Sequence, residues 1–200
     1  MDNKDEALKE YIELIEKGAV DINKVLNKLN NIHFINREVI NREEIDFNKI
    51  IKECNSNLIN YIDEADLKIK LASEPNFSLI SDYILMKIIL ENLLENAVFF
   101  KKTKKVEIEI NLRTSRKSII ISVEDNGFGI LKEQHEKIFE MFYRGTEKSK
   151  GNGLGLYLVR KAVQKLHGKI SVESEEGKYA CFTVSLPKVI VPKELESLVI

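Results

Sequence analysis

The spacing of apolar residues divides the chain into a helical first part and a mixed second part. Through residues 4–17 apolar side chains recur at helical spacing among charged residues, and the same amphipathic pattern continues after Gly18 as far as Ile32. Long charged helices with one apolar stripe usually pack on a partner helix. The pattern therefore predicts a helical segment over residues 1–44 with a helical partner.

From residue 45 onward, helical patterns alternate with short strand patterns. Asp46 is placed to cap a helix whose apolar residues run from Ile50 to Ile62, and Ser81 or Asp82 is placed to cap a second helix. Alternating or β-branched apolar runs predict strands at 67–71, 106–112, 119–123, 169–173 and 180–186, with 77–80 as a candidate for a further short strand. This order predicts an α/β fold, a two-layer sandwich over residues 45–187. A C-terminal tail follows at 188–200, and its apolar last part, residues 195–200, is expected to dock on the domain or on a neighbour.

Composition narrows the class of protein. The chain has 44% hydrophobic and 32% charged residues and a net charge of −1, which indicate a globular protein with a full core and no general attraction to nucleic acid or membranes. No apolar run is long enough to cross a bilayer, so we expect this chain to be cytoplasmic. This expectation is compatible with a membrane anchor elsewhere in a full-length protein. Cys54 and Cys181 have no metal-type spacing and are expected to be inert, reduced thiols.

A glycine motif follows the strand predicted at 119–123. The residues from Asp125 to Ile130 read Asp-Asn-Gly-Phe-Gly-Ile, so a carboxylate at the end of the strand is followed by Gly127 and Gly129. Glycines there let the backbone turn sharply and let a flat ligand lie against it. Taken alone, such a motif is more often an ordinary turn, and its meaning depends on the rest of the chain.

Two asparagines lie on one face of the apolar helix that precedes this motif. Asn92 and Asn96 are four residues apart, and Phe99 or Phe100 continues their stripe. A pair of amides in line on a mostly apolar helix is hard to explain as core. An amide oxygen is a hard, neutral ligand suited to a Mg²⁺ ion that already carries phosphates and water.

A second glycine motif, at 151–156, opens another helix. Glycines at a helix start expose backbone N–H groups to phosphate oxygens, and the helix dipole adds to the attraction. The Gly-x-Gly-x-Gly run is weak by itself and matches neither the Rossmann nor the Walker A spacing. The candidate phosphate-binding residues are Gly151, Gly153, Leu154, Gly155 and Leu156 in the motif, and Arg144, Lys148 and Lys150 before it.

The order and spacing of these motifs resemble the N, G1, F and G2 boxes of the catalytic ATP-binding domain of sensor histidine kinases, over roughly residues 45–187. That domain belongs to the superfamily that gyrase and heat-shock chaperones share, the Bergerat nucleotide fold. The resemblance implies a mixed sheet with helices on one face, ATP and Mg²⁺ as cofactors, and transfer of the γ-phosphoryl group to a histidine. A response-regulator receiver domain and a homodimer formed through the N-terminal helices, as in a two-component system, are the partners it implies.

The resemblance also implies a role for each motif residue. Asp125 accepts a hydrogen bond from the adenine amine, and Gly127, Gly129 and Ile130 border the purine. Asn96 holds Mg²⁺, and Asn92 helps at the phosphates or at an ordered water. Phe100 faces adenine or packs in the core. The remaining expectations concern the lid: residues 131–152 close over the triphosphate, Phe139 and Phe142 anchor the lid by packing, and Arg144, Lys148 and Lys150 neutralise phosphate charge.

Three departures from the family pattern stand out. Phe99 replaces a phosphate-contacting lysine, so one charge is missing unless Lys101 or Lys102 supplies it. Ala180 follows Tyr179 where the family has a hydroxyl that supports the adenine pocket. Asn92 takes the place of a glutamate that activates water in the hydrolases of the superfamily, and an amide is no general base, so ATP hydrolysis should be slow.

No histidine has the context of the family's phosphoacceptor. His33 lies too late in the helical segment, which resembles the second helix of the phosphoacceptor hairpin, and His135 and His167 fit structural positions. The chain is therefore expected to be truncated after the first hairpin helix or to act on a partner's histidine. The alternatives are a nucleotide-binding regulatory module without transferase activity, and a serine kinase or chaperone-type ATPase, against which the short lid and the F box argue.

Overall fold

The structure is a computed structural model that describes residues 3–145 and 151–188. The C-terminal tail from residue 189 onward, including the stretch at 195–200 that was predicted to dock, lies outside the described residues. Four α-helices, seven strands and three short 3₁₀ turns follow one another in the described ranges. In chain order they are α1 Asn3–Asn36, β1 Glu43–Glu44, α2 Phe47–Leu58, a 3₁₀ turn Glu64–Asp66, β2 Leu67–Ser73, β3 Ile80–Ser81, α3 Tyr83–Phe99, β4 Val106–Thr114, β5 Ser118–Asp125, 3₁₀ turns Lys132–Gln134 and Lys137–Phe139, α4 Gly155–Lys165, β6 Lys169–Glu175 and β7 Tyr179–Pro187.

The main sheet has five strands in the order β2-β4-β5-β7-β6. β2 pairs with β4 in parallel and the other neighbours are antiparallel, so the sheet is mixed. Buried residues alternate along β4, β5 and β7, which shows that one face is covered by helices while the other faces solvent. The predicted two-layer α/β sandwich is confirmed.

Helix α3 forms the centre of the core. It is apolar on nearly all sides, and Met86, Ile89, Leu90 and Leu94 are completely buried between the sheet and the other helices. Such a helix leaves no room for polar side chains without partners, since an unsatisfied buried amide costs about 1–3 kcal/mol. The two asparagines of this helix therefore need an explanation in the site.

Asp82 joins the start of α3 to the end of α1. One of its carboxylate oxygens caps α3 by accepting from the Leu85 N–H at 3.1 Å, and the other accepts from Arg37 and from the Asn41 N–H at 2.9 Å. The carboxylate is fully buried, and Ile35, near the end of α1, is buried beside it in the same core. These contacts fix the last turn of α1 on the domain.

Helix α1 runs unbroken through Gly18, as one helix of 34 residues. Its later part packs against α3 and α4, whereas many apolar residues of the stripe that predicted a helical partner are exposed. These exposed residues are Leu8, Tyr11, Ile12, Ile15, Ile22, Val25, Leu26 and Leu29.

Two details of the predicted elements were wrong. α2 ends at Leu58 rather than continuing to Ile62, because the Asn60 side chain bonds the Asn57 carbonyl at 3.1 Å and closes the last turn. The short strand predicted at 77–80 is β3, which pairs only at Ile80 and Ser81, with β1 outside the main sheet. Around His135 the chain forms the two 3₁₀ turns Lys132–Gln134 and Lys137–Phe139.

Within the described residues, no helix combines the length and the apolar character that crossing a membrane requires. Both cysteines are free, and burial raises the pKa of the Cys54 thiol to about 12, as expected for an inert core residue.

Candidate functional site

Helix α3 carries Asn92 and Asn96, and Phe100 follows directly as its C-cap residue, so the three residues lie one turn apart on one face. At 1.5 Å per residue this row is about 12 Å long. Gly155, in the second glycine motif, meets one end of the row, and the motif that begins at Asp125 meets the other. The structure therefore assembles the separate sequence motifs into one elongated site with two ends.

Asn92 is buried and oriented at the first end. Its Nδ2 donates to the Ile88 carbonyl at 2.8 Å, and its Oδ1 accepts from the ammonium of Lys28 at 3.2 Å. With both groups of the amide engaged and 2% of the residue exposed, the side chain has a fixed orientation.

Asn96 has a buried amide nitrogen without a hydrogen-bond partner among the described residues. Its Oδ1 lies 3.8 Å from the point that a Cβ on Gly155 would occupy, and Asn92 Oδ1 lies 3.2 Å from the same point. Amide nitrogen and oxygen are interchangeable in this position without changing the packing. An orphaned amide that converges with a second amide on an open point is what a ligand site requires.

Gly155 begins α4 directly against this pair. A Cβ there would press on Asn92 Oδ1 and reach van der Waals contact with Asn96 Oδ1, whereas glycine leaves this space and the N-terminal backbone of α4 open. No side chain in the described residues caps α4, since Asn152 instead accepts from the Leu154 N–H at 3.2 Å. An uncapped helix start is favourable to an anion. Leu154 and Leu156 are respectively buried and half-buried, so they would contribute backbone rather than side chains.

Lys28 of α1 is a residue of this end that the sequence did not reveal. Its ammonium donates to Asn92 and, at 2.9 Å, to Glu95, and lies 3.6 Å from the Cβ position of Gly155. Glu95 therefore shares this cation with Asn92, whereas its neighbour Glu91 accepts from the Asn57 side chain at 3.0 Å. A lysine in an amphipathic helix gives no signal of such a contact, because its target lies 64 residues away.

Asp125 occupies the second end. It is the last residue of β5, opposite Ile108 and Ala180, with 7% of its surface exposed, and its Oδ1 accepts from the Gly127 N–H at 2.9 Å. Burial raises the pKa of this carboxyl to about 6, although the Gly127 hydrogen bond acts in the opposite direction. A buried carboxylate with one local partner is poised to accept a hydrogen bond from a ligand.

The two glycines of this motif are required by close backbone contacts. A Cβ on Gly127 would lie 2.7 Å from the Phe100 carbonyl, which links the motif to the end of α3. Gly129 has a positive φ of 66°, and a Cβ there would lie 2.2 Å from the Glu175 carbonyl. Ile130 follows with its N–H donated to Ser174 Oγ at 2.8 Å. The motif is thus fastened between α3 and the β6–β7 turn.

Phe100 is 42% exposed beside this motif, which fits an aromatic residue on the rim of the site better than a core residue. Phe99, in contrast, packs edge-on against Tyr61 with ring centroids 5.1 Å apart. Lys102 donates to the Gly177 carbonyl, so among the described residues it is Lys28, and not Lys102, that stands at the asparagines. Ala180 has no hydroxyl of its own, and Ser174, which has one, lies opposite it on β6.

The lid region is described only in part. Phe139 is buried against Phe182, as predicted, but Phe142 is 63% exposed and does not anchor the lid by packing. Its backbone instead donates to the Gly153 carbonyl at 3.0 Å. Arg144 is exposed, Gly151 has open space around it, and Lys148 and Lys150 lie outside the described residues.

Comparisons with known proteins agree with this geometry. Residues 81–190 match the family model described as "Histidine kinase-, DNA gyrase B-, and HSP90-like ATPase". The chain is 30% identical over 176 residues to the methanogenesis regulatory histidine kinase FilI of Methanothrix harundinacea, covering 87% of this chain and 20% of that protein. The chain therefore spans about a fifth of the length of that curated relative.

Two solved structures show the same fold. The catalytic domain of the histidine kinase ThkA is 27% identical, with a TM-score of 0.61 over 74% of this chain and 98% of that one. The structure of ThkA in complex with the response regulator protein TrrA gives a TM-score of 0.69 at 23% identity, over 91% of this chain and 52% of that one. The chain belongs to the histidine kinase-, DNA gyrase B- and HSP90-like ATPase family and carries the catalytic ATP-binding domain of a sensor histidine kinase.

Proposed function

We propose that this chain is the Mg-ATP-binding part of a protein-histidine kinase in a two-component system, and that it transfers the γ-phosphoryl group to a histidine outside this chain. The observation that carries the proposal is the row formed by Asn92, Asn96 and Phe100, with the uncapped start of α4 at one end and buried Asp125 at the other. Its length and polarity suit a nucleotide, whose base and phosphates need opposite kinds of surroundings.

The adenine end discriminates by polarity. Asp125 accepts a hydrogen bond from the exocyclic amine of adenine, and guanine presents a carbonyl oxygen at that position, which would face a buried carboxylate unpaired. Phe100 stands on the rim, where a ring face can cover the base. Gly127 carries no Cβ, so a flat base can lie against its backbone.

The phosphate end suits Mg²⁺. Within the described residues no three histidine, cysteine or carboxylate side chains gather into a metal cluster, so a metal here depends on amide oxygens and on phosphates. The unpartnered amide of Asn96 fits that role, and Asn92 is oriented beside it. Mg²⁺ would supply charge neutralisation to the phosphates, while the chain holds them in line.

The amide at position 92 supports phosphoryl transfer rather than hydrolysis, because the hydrolases of the superfamily have a glutamate there that activates water. Asn92 is an amide that bonds Ile88 and Lys28 and takes no proton from water. A site that binds ATP and hydrolyses it slowly preserves the nucleotide until an acceptor histidine arrives. His33 is exposed near the end of α1, the His135 ring bonds the Ile130 carbonyl, and His167 follows the C-terminus of α4, so each has a position that does not require an acceptor role.

Two partners complete the proposal. The exposed apolar stripe of α1 suits a helix of a second copy, which would make the homodimer. The acceptor histidine would lie on the first helix of the hairpin whose second helix α1 resembles. A response-regulator receiver domain then takes the phosphoryl group. The complex of ThkA with its response regulator supports this partner by analogy.

The experiment is calorimetric titration with a non-hydrolysable ATP analogue, with and without Mg²⁺, followed by radiolabelled transfer to a histidine-containing hairpin supplied in trans. We expect Mg²⁺-dependent binding and labelling of the hairpin, with little free phosphate released. GTP should compete weakly. Absence of binding to the chain would refute the proposal.

A second function is favoured by one observation. Phe99 packs on Tyr61 where the family has a lysine, and Ala180 has no hydroxyl, so the site departs from the family at both ends. These changes suit a regulatory module that binds nucleotide without transferring phosphate. That module would bind the analogue but leave every supplied hairpin unlabelled.

A further inference from the structure

We propose that Lys28 of α1 is a phosphate-binding residue of the nucleotide site and supplies the positive charge that Phe99 does not. The inference rests on the proposed function, because it names a further ligand of the same triphosphate. It assigns a role in nucleotide binding to the N-terminal helix, which lies outside the residues matched by the family model.

The placement of the ammonium is the first argument. Lys28 Nζ lies 3.2 Å from Asn92 Oδ1 and 3.6 Å from the Cβ position of Gly155, while Asn96 Oδ1 approaches that position to 3.8 Å. The cation therefore lies at the junction of α3 and α4, where the phosphates of a bound nucleotide would be held. It is partly buried, with 19% of the side chain exposed.

Electrostatics gives the second argument. A helix N-terminus carries a partial positive charge, so a lysine beside the start of α4 is unfavourable unless an anion joins the two. Glu95 provides one carboxylate, at 2.9 Å from the Lys28 ammonium. The ammonium has three N–H donors, however, and the uncapped N–H groups at the start of α4 also lie beside it. A phosphate group would accept from both the ammonium and the helix start.

Lys28 is held in place because the end of α1 is anchored to the domain. Ile35 follows Lys28 by seven residues, two helical turns, and therefore lies on the same face of α1. Ile35 is buried, and Arg37, directly after α1, is paired with the fully buried Asp82 at the start of α3. The end of α1 is thus anchored to the helix that carries both asparagines, and the ammonium enters the site as a preorganised group.

The test compares Lys28→Met, which keeps the length and removes the charge, with Lys28→Arg and with the control Lys9→Met, an exposed lysine of the same helix. Affinities for a Mg²⁺-bound non-hydrolysable ATP analogue and for adenosine are measured on the full 200-residue chain. We expect Lys28→Met to weaken binding of the analogue about tenfold, the effect of losing one charge-assisted hydrogen bond. The affinity for adenosine should stay unchanged. Lys28→Arg and Lys9→Met should stay near the wild type.

Glu95→Gln provides a second variant. It frees the ammonium and removes a carboxylate that repels phosphate, so the analogue should bind about two- to threefold more tightly. Circular dichroism confirms that each variant is folded. Unchanged or tighter binding of the analogue by folded Lys28→Met would overturn the inference, since tighter binding would show that the ammonium competes with Mg²⁺ for Asn92. Absence of nucleotide binding by the wild type would instead overturn the proposed function, and with it this inference.

Discussion

The two ends of the site are built in different ways. The end at Asp125 is made almost entirely by one short stretch of chain, where a strand ends and two glycines follow, fastened by backbone contacts to Phe100 and Glu175. The end at the asparagines is assembled from α1, α3 and α4, whose contributions lie far apart in the sequence. The first end is a local motif, whereas the second exists only when three helices are packed together.

This difference should separate the binding of the base from the binding of the phosphates. A change at Asp125 should affect adenosine and ATP alike, while changes at Asn96, Gly155 or Lys28 should affect ATP and spare adenosine. Measuring both ligands for each variant therefore tests the division of the site directly.

The largest effect is expected for Asp125→Asn. The amide would present a donor to the adenine amine, or leave its own polar groups unpaired, so binding of both ligands should fall about a hundredfold. Calorimetry measures both affinities. The control is Glu124→Gln, an exposed carboxylate next to it on the open face of the sheet. A loss confined to ATP would contradict the assignment of this end to adenine.

Asn96→Ala should come next. Removing the proposed Mg²⁺ ligand should weaken the Mg²⁺-bound ATP analogue by about ten- to a hundredfold and abolish its dependence on Mg²⁺, with adenosine unaffected. Titrations over a range of Mg²⁺ concentrations measure this. Asn48→Ala, at an exposed position of α2, is the matched control. An unchanged Mg²⁺ dependence would place the metal elsewhere.

The affinity for adenosine should depend on pH, with a smaller effect than either of the two substitutions above. Because the pKa of Asp125 is raised to about 6, the carboxylate is ionised at pH 7 and mostly protonated at pH 5. The ionised form is the stronger acceptor, so adenosine affinity should fall about tenfold between pH 7 and pH 5. The Asp125→Asn variant should show a flat profile. Tighter binding at pH 5 would show that the neutral acid donates to the base.

The smallest effect is expected for Gly155→Ala. The new Cβ would lie 3.2 Å from Asn92 Oδ1, so the amide must shift by a few tenths of an ångström, and the ATP analogue should bind a few-fold more weakly. Adenosine should bind as before. Gly18→Ala on α1, where a Cβ meets open space, serves as the control. Equal losses for both ligands would indicate a general distortion instead.

The outcomes of the sequence predictions follow the same division. The helices, the five sheet strands and the motif at Asp125 could be predicted, because helical and strand periodicity and the chemistry of glycine turns are properties of neighbouring residues. The roles proposed for the site residues stay predictions until binding is measured. The predicted packing of Phe142 failed, since whether an aromatic ring is buried depends on what lies above it.

The sequence by itself determined the helices and the five strands of the main sheet to within a few residues, which positions of the strands face the core, and which carboxylate and amides interrupt the apolar background. Only the tertiary structure decided that Lys28 reaches Asn92, that Glu95 shares this cation, and that Phe99 turns to Tyr61. The physical reason is distance along the chain. Local patterns report interactions within a few residues, whereas the position of a charge from one helix between two others depends on how all three pack.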